Sequence, residues 1–382
     1  MKKLMTKFDK YKEYFMNAKN LTAVGVSNLV ANAISGLFWI YLASLLGTDG
    51  YGELGYMLAI MGTIGSLASF GTINTLIVYV SKGERIQATI FFIVLISATS
   101  IGIISYFLFQ NLGIAIYPLG YVIFSSVLFD MLGRKNFVNY GKYMISQRII
   151  MVTLALFLFQ QYQINGIILG YALSFFPFSF LMYRAFKESK IDFKVLKGKI
   201  CFTANNYVTH VLKIIFLNID KLIIVPLFGT IVLGPYQLGF QIFSIAMLLP
   251  NSVLSYTLPH DAVGVKNQKL KKYTIIISSI ITLIAIFASP TIIPMIFPDF
   301  EESVSVIQII SLGFLPSSLS ILYTSELLGT ERSKIVLFGT CIGITIIVLG
   351  IITLGNDYGL YGISASFVMA KSGEFIFLHI KK

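Results

Sequence analysis

One apolar stretch, residues 203–228, carries the side chains that are best placed to do chemistry in this chain. Its ionisable residues are His210, Lys213, Asp220 and Lys221. The stretch is long enough to cross a bilayer as a helix. Charge at membrane depth is costly, so such side chains usually face other helices or a water-filled cavity. The pattern therefore favours a site for binding or transport inside a membrane.

Helical spacing brings several of these side chains together. Asn206, His210, Lys213 and Asp220 step by four, three and seven positions, which places them on one helical face. Lys213 lies about 15 Å into the segment, near the bilayer middle. There it suits an anion such as a phosphate better than it suits snorkelling to an interface. For His210 and Asp220 two interpretations stay open: a part in the site, or an interhelical hydrogen bond and neutralisation of Lys221.

Polar side chains also form stripes on three other predicted spans. The stripe residues that we take as candidates for cavity lining are Asn28, Asn32, Asn74, Gln237 and Gln241. Ordinary interhelical hydrogen bonds, worth about 1 kcal/mol each, are the alternative. Amides repeated along one face exceed what packing usually needs, which favours a cavity for the first and eighth spans.

Arg148 lies near the predicted cytoplasmic mouth of the fifth span. It would either guide an anionic head group inward or end the polar loop, and the second interpretation is favoured.

The composition is that of a membrane protein that crosses the bilayer many times. The chain has 382 residues, of which 56% are hydrophobic and 12% charged, and its mean hydropathy is +0.81. Backbone groups in lipid must be satisfied within the segment, and the alternation of membrane strands is absent, so the spans are helices. The two cysteines lie far apart and suggest neither a disulfide framework nor a metal site. We expect no catalytic residues and no cofactor.

The apolar runs predict about twelve spans, and the charges between them predict their orientation. The predicted spans are 21–46, 54–80, 86–109, 112–132, 143–160, 164–186, 206–228, 236–259, 273–298, 303–325, 333–354 and 358–380. Lysine and arginine occur in both tails and in every even-numbered loop, whereas the odd-numbered loops have none. By the positive-inside rule both termini are cytoplasmic in the cell membrane. The net charge of +12 is thereby explained by topology and contact with anionic lipid, not by nucleic acid.

A polar loop divides the chain into two halves that share a short motif. We predict a basic tail at 1–20, six-helix lobes at 21–186 and 203–382, and a cytoplasmic linker at 187–202. Gly47-Thr48 matches Gly229-Thr230, and Leu54-Gly55-Tyr56 matches Leu238-Gly239-Phe240, at the same outward hairpin of each half. Six spans per half give both halves the same orientation. The lobes would thus be a parallel repeat about an axis normal to the membrane.

Three stretches together resemble a known family. They are residues 43–82 (ASLLGTDGYGELGYM and onward), the seventh span with NIDKLIIVPLFGT and LGPYQLGF, and residues 292–339 with the turn LLGTERSK. In these patterns the chain resembles polysaccharide flippases, of the O-antigen flippase type, in the multidrug/oligosaccharidyl-lipid/polysaccharide (MOP) exporter superfamily. The resemblance implies transport of lipid-linked sugars through a cavity lined by helices one, two, seven and eight, without covalent chemistry.

The leading hypothesis is a flippase for polyprenyl-(di)phosphate-linked oligosaccharide that works by alternating access. Lys213 would pair with the phosphate, and amide and aromatic side chains would bind the sugars. A coupling cation is an open possibility, with Asp220 as its candidate site, and polysaccharide polymerase or glycosyltransferases are possible partners. The alternatives are a multidrug/cation antiporter, which would favour acidic residues in the cavity, and a membrane glycosyltransferase or ligase, which needs a sizeable outward site.

Overall fold

Almost the whole chain is helical. The structure, a computed structural model, describes residues 2–262, 268–330 and 332–381, and within these ranges there is no strand. The helices are α1 Lys2–Ala68, α2 Thr72–Ser81, α3 Gln87–Phe109, α4 Leu112–Gly133, α5 Phe137–Leu173, α6 Ser179–Glu188, α7 Ile200–Phe228, α8 Thr230–Ala246, α9 Leu248–Ala262, α10 Gln268–Ile296, α11 Ser303–Leu312, α12 Phe314–Gly329 and α13 Ser333–Lys381. Short 3-10 helices occupy Phe176–Phe178, Phe193–Leu196 and Pro298–Phe300. From Lys2 onward, the predicted basic tail is part of α1.

Three of these helices turn sharply at a single residue. The backbone leaves helical geometry at Gly47 in α1, at Gln163 in α5 and at Gly359 in α13, with φ of 66°, 52° and 56°. Glycine takes a positive φ without a steric penalty, which explains two of the three turns. The helix α13 covers two of the predicted spans, whereas α1 and α5 each cover one span and the beginning of the next. In all three helices a one-residue turn replaces the predicted loop.

The described helices include eight stretches that are long and apolar enough to cross a membrane. Three of them, Val24–Ala68, Phe137–Glu188 and Ser333–Lys381, have 45, 52 and 49 residues. About 20 residues suffice for one crossing, so each of the three has the length for two. The prediction of a helical protein with several membrane spans is confirmed, whereas the count of twelve and the orientation of the termini stay predictions.

The chain forms two compact units. Unit 1 comprises Met1–Ser35 and Met61–Val211, and unit 2 comprises Gly36–Ile60 and Leu212–Lys382. The predicted lobes divided the chain at the linker 187–202. In the structure the hairpin at 36–60 belongs with unit 2, and the first turns of α7 belong with unit 1.

Unit 1 has its core where α2, α3, α4 and α6 meet. Leu76, Phe91, Val94, Val122 and Met182 are buried there. The linker is fixed to the start of α3, because the Asp192 backbone N–H donates to Thr89 Oγ1 at 2.9 Å. The Thr89 hydroxyl in turn donates to the Asp192 carbonyl at 3.2 Å.

Unit 2 has its core where α7, α8, α11 and α13 meet. Ile224, Tyr236, Ile310, Ile351 and Phe367 are buried there. Several aromatic rings in this core meet edge to face, including Phe243 and Phe367 with centroids 5.0 Å apart. This packing fixes the facing sides of α7 and α8, which carry most of the predicted polar residues of unit 2.

Candidate functional site

An ion pair on α7 is buried in the middle of unit 2. The side chains of Asp220 and Lys221 are only 1% and 4% exposed. Lys221 Nζ lies 3.2 Å from Asp220 Oδ1, and the Tyr236 hydroxyl donates to Asp220 Oδ2 at 2.7 Å. The Lys221 ammonium also lies 3.6 Å from the centroid of the Phe240 ring, a cation–π contact. Each charge is thus stabilised by more than one neighbour, as a buried ion pair requires.

Lys221 faces a small polar pocket, which we call the amide pocket. Its volume is about 290 Å³, and its polar lining consists of Asn218, Lys221, Gln237, Gln241 and Ser244. The structure thus brings together three of the predicted site residues, which lie on two helices. Gln237 is 8% exposed, and its Oε1 has no hydrogen-bond partner among the described residues. A buried acceptor of this kind can accept a hydrogen bond from a ligand hydroxyl.

Asp220 faces a second cavity of unit 2, which we call the carboxylate cavity. It has a volume of about 320 Å³, and it shares Leu217, Phe240 and Ser244 with the amide pocket. Its remaining polar lining includes Asn251, Ser317, Ser320, Thr324, Lys371 and Glu374. The Asp220–Lys221 pair therefore stands between the two spaces, with one partner facing each.

Lys371 and Glu374 form a second ion pair in the wall of the carboxylate cavity. Lys371 Nζ lies 3.4 Å from Glu374 Oε2 and 3.8 Å from the centroid of the Phe216 ring. Neither residue was predicted as part of a site from the sequence, and both lie within the predicted last span, 358–380. Their i, i+3 spacing inside an apolar helix was the available signal.

The predicted residues of unit 1 lie in two places. The Asn74 side-chain amide donates to Asn206 Oδ1 at 2.9 Å, which joins α2 to the start of α7. The Tyr140 hydroxyl donates to Asn28 Oδ1 at 3.1 Å, which joins α5 to α1. His210 and Asn32 are half-buried. The hydrogen bonds of Asn74 and Asn28 are of the interhelical kind that competes with cavity lining.

The contact between Asn74 and Asn206 lies beside a break in the helical chain. Between α1 and α2, Phe70 and Gly71 have positive φ of 48° and 69°. A Cβ atom on Gly71 would lie 2.4 Å from the Thr203 carbonyl oxygen, so only glycine allows this approach to α7. The Phe70 ring stacks on Tyr207 with centroids 5.2 Å apart. Broken helices often mark functional sites in transporters.

Lys213 is exposed on α7 and lies outside both spaces of unit 2. Arg148, another predicted site residue, lies in α5 eleven positions after the first residue of that helix. In the part of the chain that the structure describes, no three histidine, cysteine, aspartate or glutamate side chains converge as a metal site would require.

Comparisons with known proteins give similarity at the level of structure only. No protein-family model matches the sequence, and no curated protein matches it. The lipid II flippase MurJ in an inward closed conformation superposes with a TM-score of 0.79 at 15% identity, covering 94% of this chain and 87% of MurJ. The chain has the fold of these transporters.

The same fold is found in transporters of the multidrug class. An inward-facing multidrug resistance MATE family transporter of the MOP superfamily gives a TM-score of 0.71 at 11% identity, with coverage of 94% and 93%. A Vibrio cholerae MATE transporter gives 0.64 at 11% identity, with coverage of 95% for each chain. The predicted resemblance to the MOP superfamily is confirmed at the level of the fold, which flippases and drug transporters share.

Proposed function

We propose that this protein is a flippase that moves polyprenyl-(di)phosphate-linked oligosaccharide across the cytoplasmic membrane by alternating access. The fold supports a transport function, because the solved structures that it matches include a flippase and a drug transporter. The choice between lipid-linked sugar and cationic drug rests on the charges inside the helices.

The proposal rests on one observation, the pairing of carboxylates within the helices with basic side chains. Six of them bind a lysine or arginine: Asp130 and Glu188 with Arg134, Asp220 with Lys221, Asp261 and Glu326 with Lys271, and Glu374 with Lys371. A cationic drug would have to displace one of these partners from a low-dielectric site, which is costly. The paired carboxylates therefore favour a neutral or anionic cargo over a cationic one.

The amide pocket supplies groups that suit a sugar. Amides and hydroxyls can both donate to and accept from sugar hydroxyls. Phe240 adds an apolar wall, and Lys221 adds a positive charge whose carboxylate partner lies on the far side. Lys213, exposed on the same helix, remains our candidate for contact with the substrate phosphate. Polymerase and glycosyltransferase partners follow from such a substrate and are part of the proposal.

Transport in liposomes tests the proposal. The full chain would be reconstituted, and the movement of a fluorescent short-chain polyprenyl-diphosphate oligosaccharide between leaflets would be followed. We expect movement by the wild type. In Gln237→Leu the rate of movement should fall about tenfold, because the site loses the buried acceptor that binds a sugar hydroxyl. Gln161→Leu changes an exposed glutamine of α5 and serves as the matched control.

The competing functions predict different outcomes of the same experiment. Exchange of a cationic dye without movement of the sugar lipid would replace the flippase with a multidrug/cation antiporter. Sugar transfer by the purified protein, which needs an acid or base at the reacting centre, would indicate a glycosyltransferase or ligase instead.

A further inference from the structure

Unit 1 contains a polar cavity of about 390 Å³, which we call the end cavity. Its polar lining consists of Glu84, Arg85, Gln87, Arg134 and Glu188. These residues lie at the ends of three stretches that are long and apolar enough to cross a membrane. Gln87–Phe109 begins at the cavity, and Leu112–Gly133 and Phe137–Glu188 end there. The headgroups of phospholipids lie just outside the apolar core of a bilayer, so the end cavity lies at their level.

Two carboxylates at the end cavity share one arginine. Arg134 Nε lies 2.7 Å from Asp130 Oδ2, and Arg134 Nη1 lies 2.5 Å from Glu188 Oε2. Asp130 is buried, whereas Glu188 is exposed. One guanidinium balances only one carboxylate, so the group keeps a net negative charge. A cation can therefore bind Glu188 at its other oxygen, Oε1, without displacing Arg134.

Gln87 adds a buried acceptor to this side of the cavity. Its side chain is 5% exposed, and its amide N–H donates to Asp130 Oδ1 at 3.1 Å. An ionised carboxylate only accepts, so this hydrogen bond fixes which end of the amide is directed at Asp130. The other end, Gln87 Oε1, has no hydrogen-bond partner among the described residues. An unpaired buried acceptor is costly, and a donor from outside the chain would satisfy it.

Arg85 provides the cavity with a positive charge. It is exposed, and it belongs to none of the ion pairs in the described ranges. The neighbouring carboxylate, Glu84, is instead paired with Lys199. The planar guanidinium of Arg85 is thus available for a phosphate, whose oxygens it matches in pairs.

We propose that the end cavity binds the headgroup of phosphatidylethanolamine, a phospholipid whose phosphate ester carries a primary ammonium. The ammonium donates to Glu188 and to Gln87 Oε1, and Arg85 binds the phosphate. An ammonium has three N–H donors, enough for two separate acceptors. Phosphatidylcholine has the same charges but no N–H group, and phosphatidylglycerol has no positive charge. The proposal does not depend on which cargo the protein transports.

Lipid binding to the full chain in detergent tests the proposal. Native mass spectrometry would count the bound lipids and give the Kd of dioleoyl phosphatidylethanolamine, phosphatidylcholine and phosphatidylglycerol. We expect the wild type to bind the ethanolamine lipid about tenfold more tightly than the choline lipid, because only the ethanolamine lipid donates charge-assisted hydrogen bonds. Equal Kd values for these two lipids would overturn the proposal. Tighter binding of phosphatidylglycerol would also overturn it, since the cavity would then select a net negative charge.

Three variants separate the two ends of the headgroup. Glu188→Gln should weaken binding of the ethanolamine lipid about tenfold and change that of the choline lipid by less than about twofold. Gln87→Leu should reduce the preference for the ethanolamine lipid in the same way. Arg85→Gln should weaken both lipids by a similar factor, because both contain the phosphate. Gel filtration would show whether each variant is folded, and Glu188→Gln, a change at an exposed residue, keeps the test valid if Gln87→Leu is not.

Glu301→Gln and Arg184→Gln are the matched controls for the loss of one charge. Both residues are exposed and lie outside the end cavity, so each variant should change the Kd by less than about twofold. An effect of Glu301→Gln as large as that of Glu188→Gln would contradict the proposal.

Soluble phosphoethanolamine distinguishes a lipid site from a site for a free phosphate ester. We expect it to displace the ethanolamine lipid only at a large excess, because it lacks the acyl chains that hold the headgroup at the membrane surface. Displacement at concentrations near the Kd of the lipid would overturn the assignment to a lipid.

Discussion

A Cβ atom on Gly52 would lie 2.0 Å from the carbonyl oxygen of Thr230. The reverse contact has the same geometry, because a Cβ atom on Gly234 would lie 2.1 Å from the Thr48 carbonyl oxygen. In both turns the threonine precedes the glycine by four positions. The two turns of unit 2 thus contact each other through equivalent residues, and each backbone approaches where only hydrogen fills the space.

Substituting either glycine should destabilise unit 2. We expect Gly52→Ala and Gly234→Ala each to lower the free energy of unfolding by about 1–3 kcal/mol, because the added methyl group overlaps a backbone oxygen that cannot rotate away. Thermal unfolding in detergent, followed by circular dichroism, measures the effect. Because the contact is reciprocal, the two variants should be similar.

Gly25→Ala is the control for these variants. Gly25 lies in α1, and a Cβ atom there would have nothing within 4 Å. This variant should be neutral or slightly stabilising, since alanine favours the helix by up to about 1 kcal/mol. Unchanged unfolding of Gly52→Ala would show that the turns separate easily.

Replacing one member of the Asp220–Lys221 pair should lower the free energy of unfolding more than replacing both. Asp220→Asn leaves the buried Lys221 ammonium without its carboxylate, and we expect a loss of about 3–5 kcal/mol in stability. The double variant Asp220→Asn with Lys221→Met removes the charge as well and should recover most of that loss. Unfolding of both variants in parallel measures the difference. A double variant that is no more stable than Asp220→Asn would show that hydrogen bonding of the carboxylate, chiefly by Tyr236, dominates.

Lys213 should affect transport without affecting stability. Its side chain is exposed, so Lys213→Glu should change the free energy of unfolding by about 0.5 kcal/mol or less. If Lys213 contacts the substrate phosphate, the reversed charge should abolish flipping in the liposome assay. Lys190→Glu, which reverses an exposed charge in the linker, is the control. Normal flipping by Lys213→Glu would remove Lys213 from the site.

Of the two sequence matches between the halves, only the first falls on the pair of turns that contact each other. The match of Gly47-Thr48 with Gly229-Thr230 falls on two turns with closely similar backbone angles, φ 66° and ψ −176° at Gly47 and φ 86° and ψ 174° at Gly229. Gly55 and Gly239, the second match, are not the glycines at which the two turns contact each other. Gly55 lies against Gln237, since a Cβ atom there would be 3.0 Å from Gln237 Cγ. The two matches also differ in register, because Gly229 follows Gly47 by 182 positions and Gly239 follows Gly55 by 184.

The sequence by itself determined that this protein is helical and that it has several segments long enough to span a membrane, and the resemblance to a known family predicted its fold. Those properties depend on the length of apolar runs and on glycine turns, which are local and can be read in order along the chain. Tertiary structure decided which charges are balanced. Lys221 and Asp220 are neighbours in sequence, but Tyr236 and Phe240 stabilise them from another helix. Arg148 is one cation among many in the sequence, and in the described ranges no ion pair joins it to a carboxylate. The residue type alone gives a side chain its charge, whereas the free energy of burying that charge depends on every element that surrounds it.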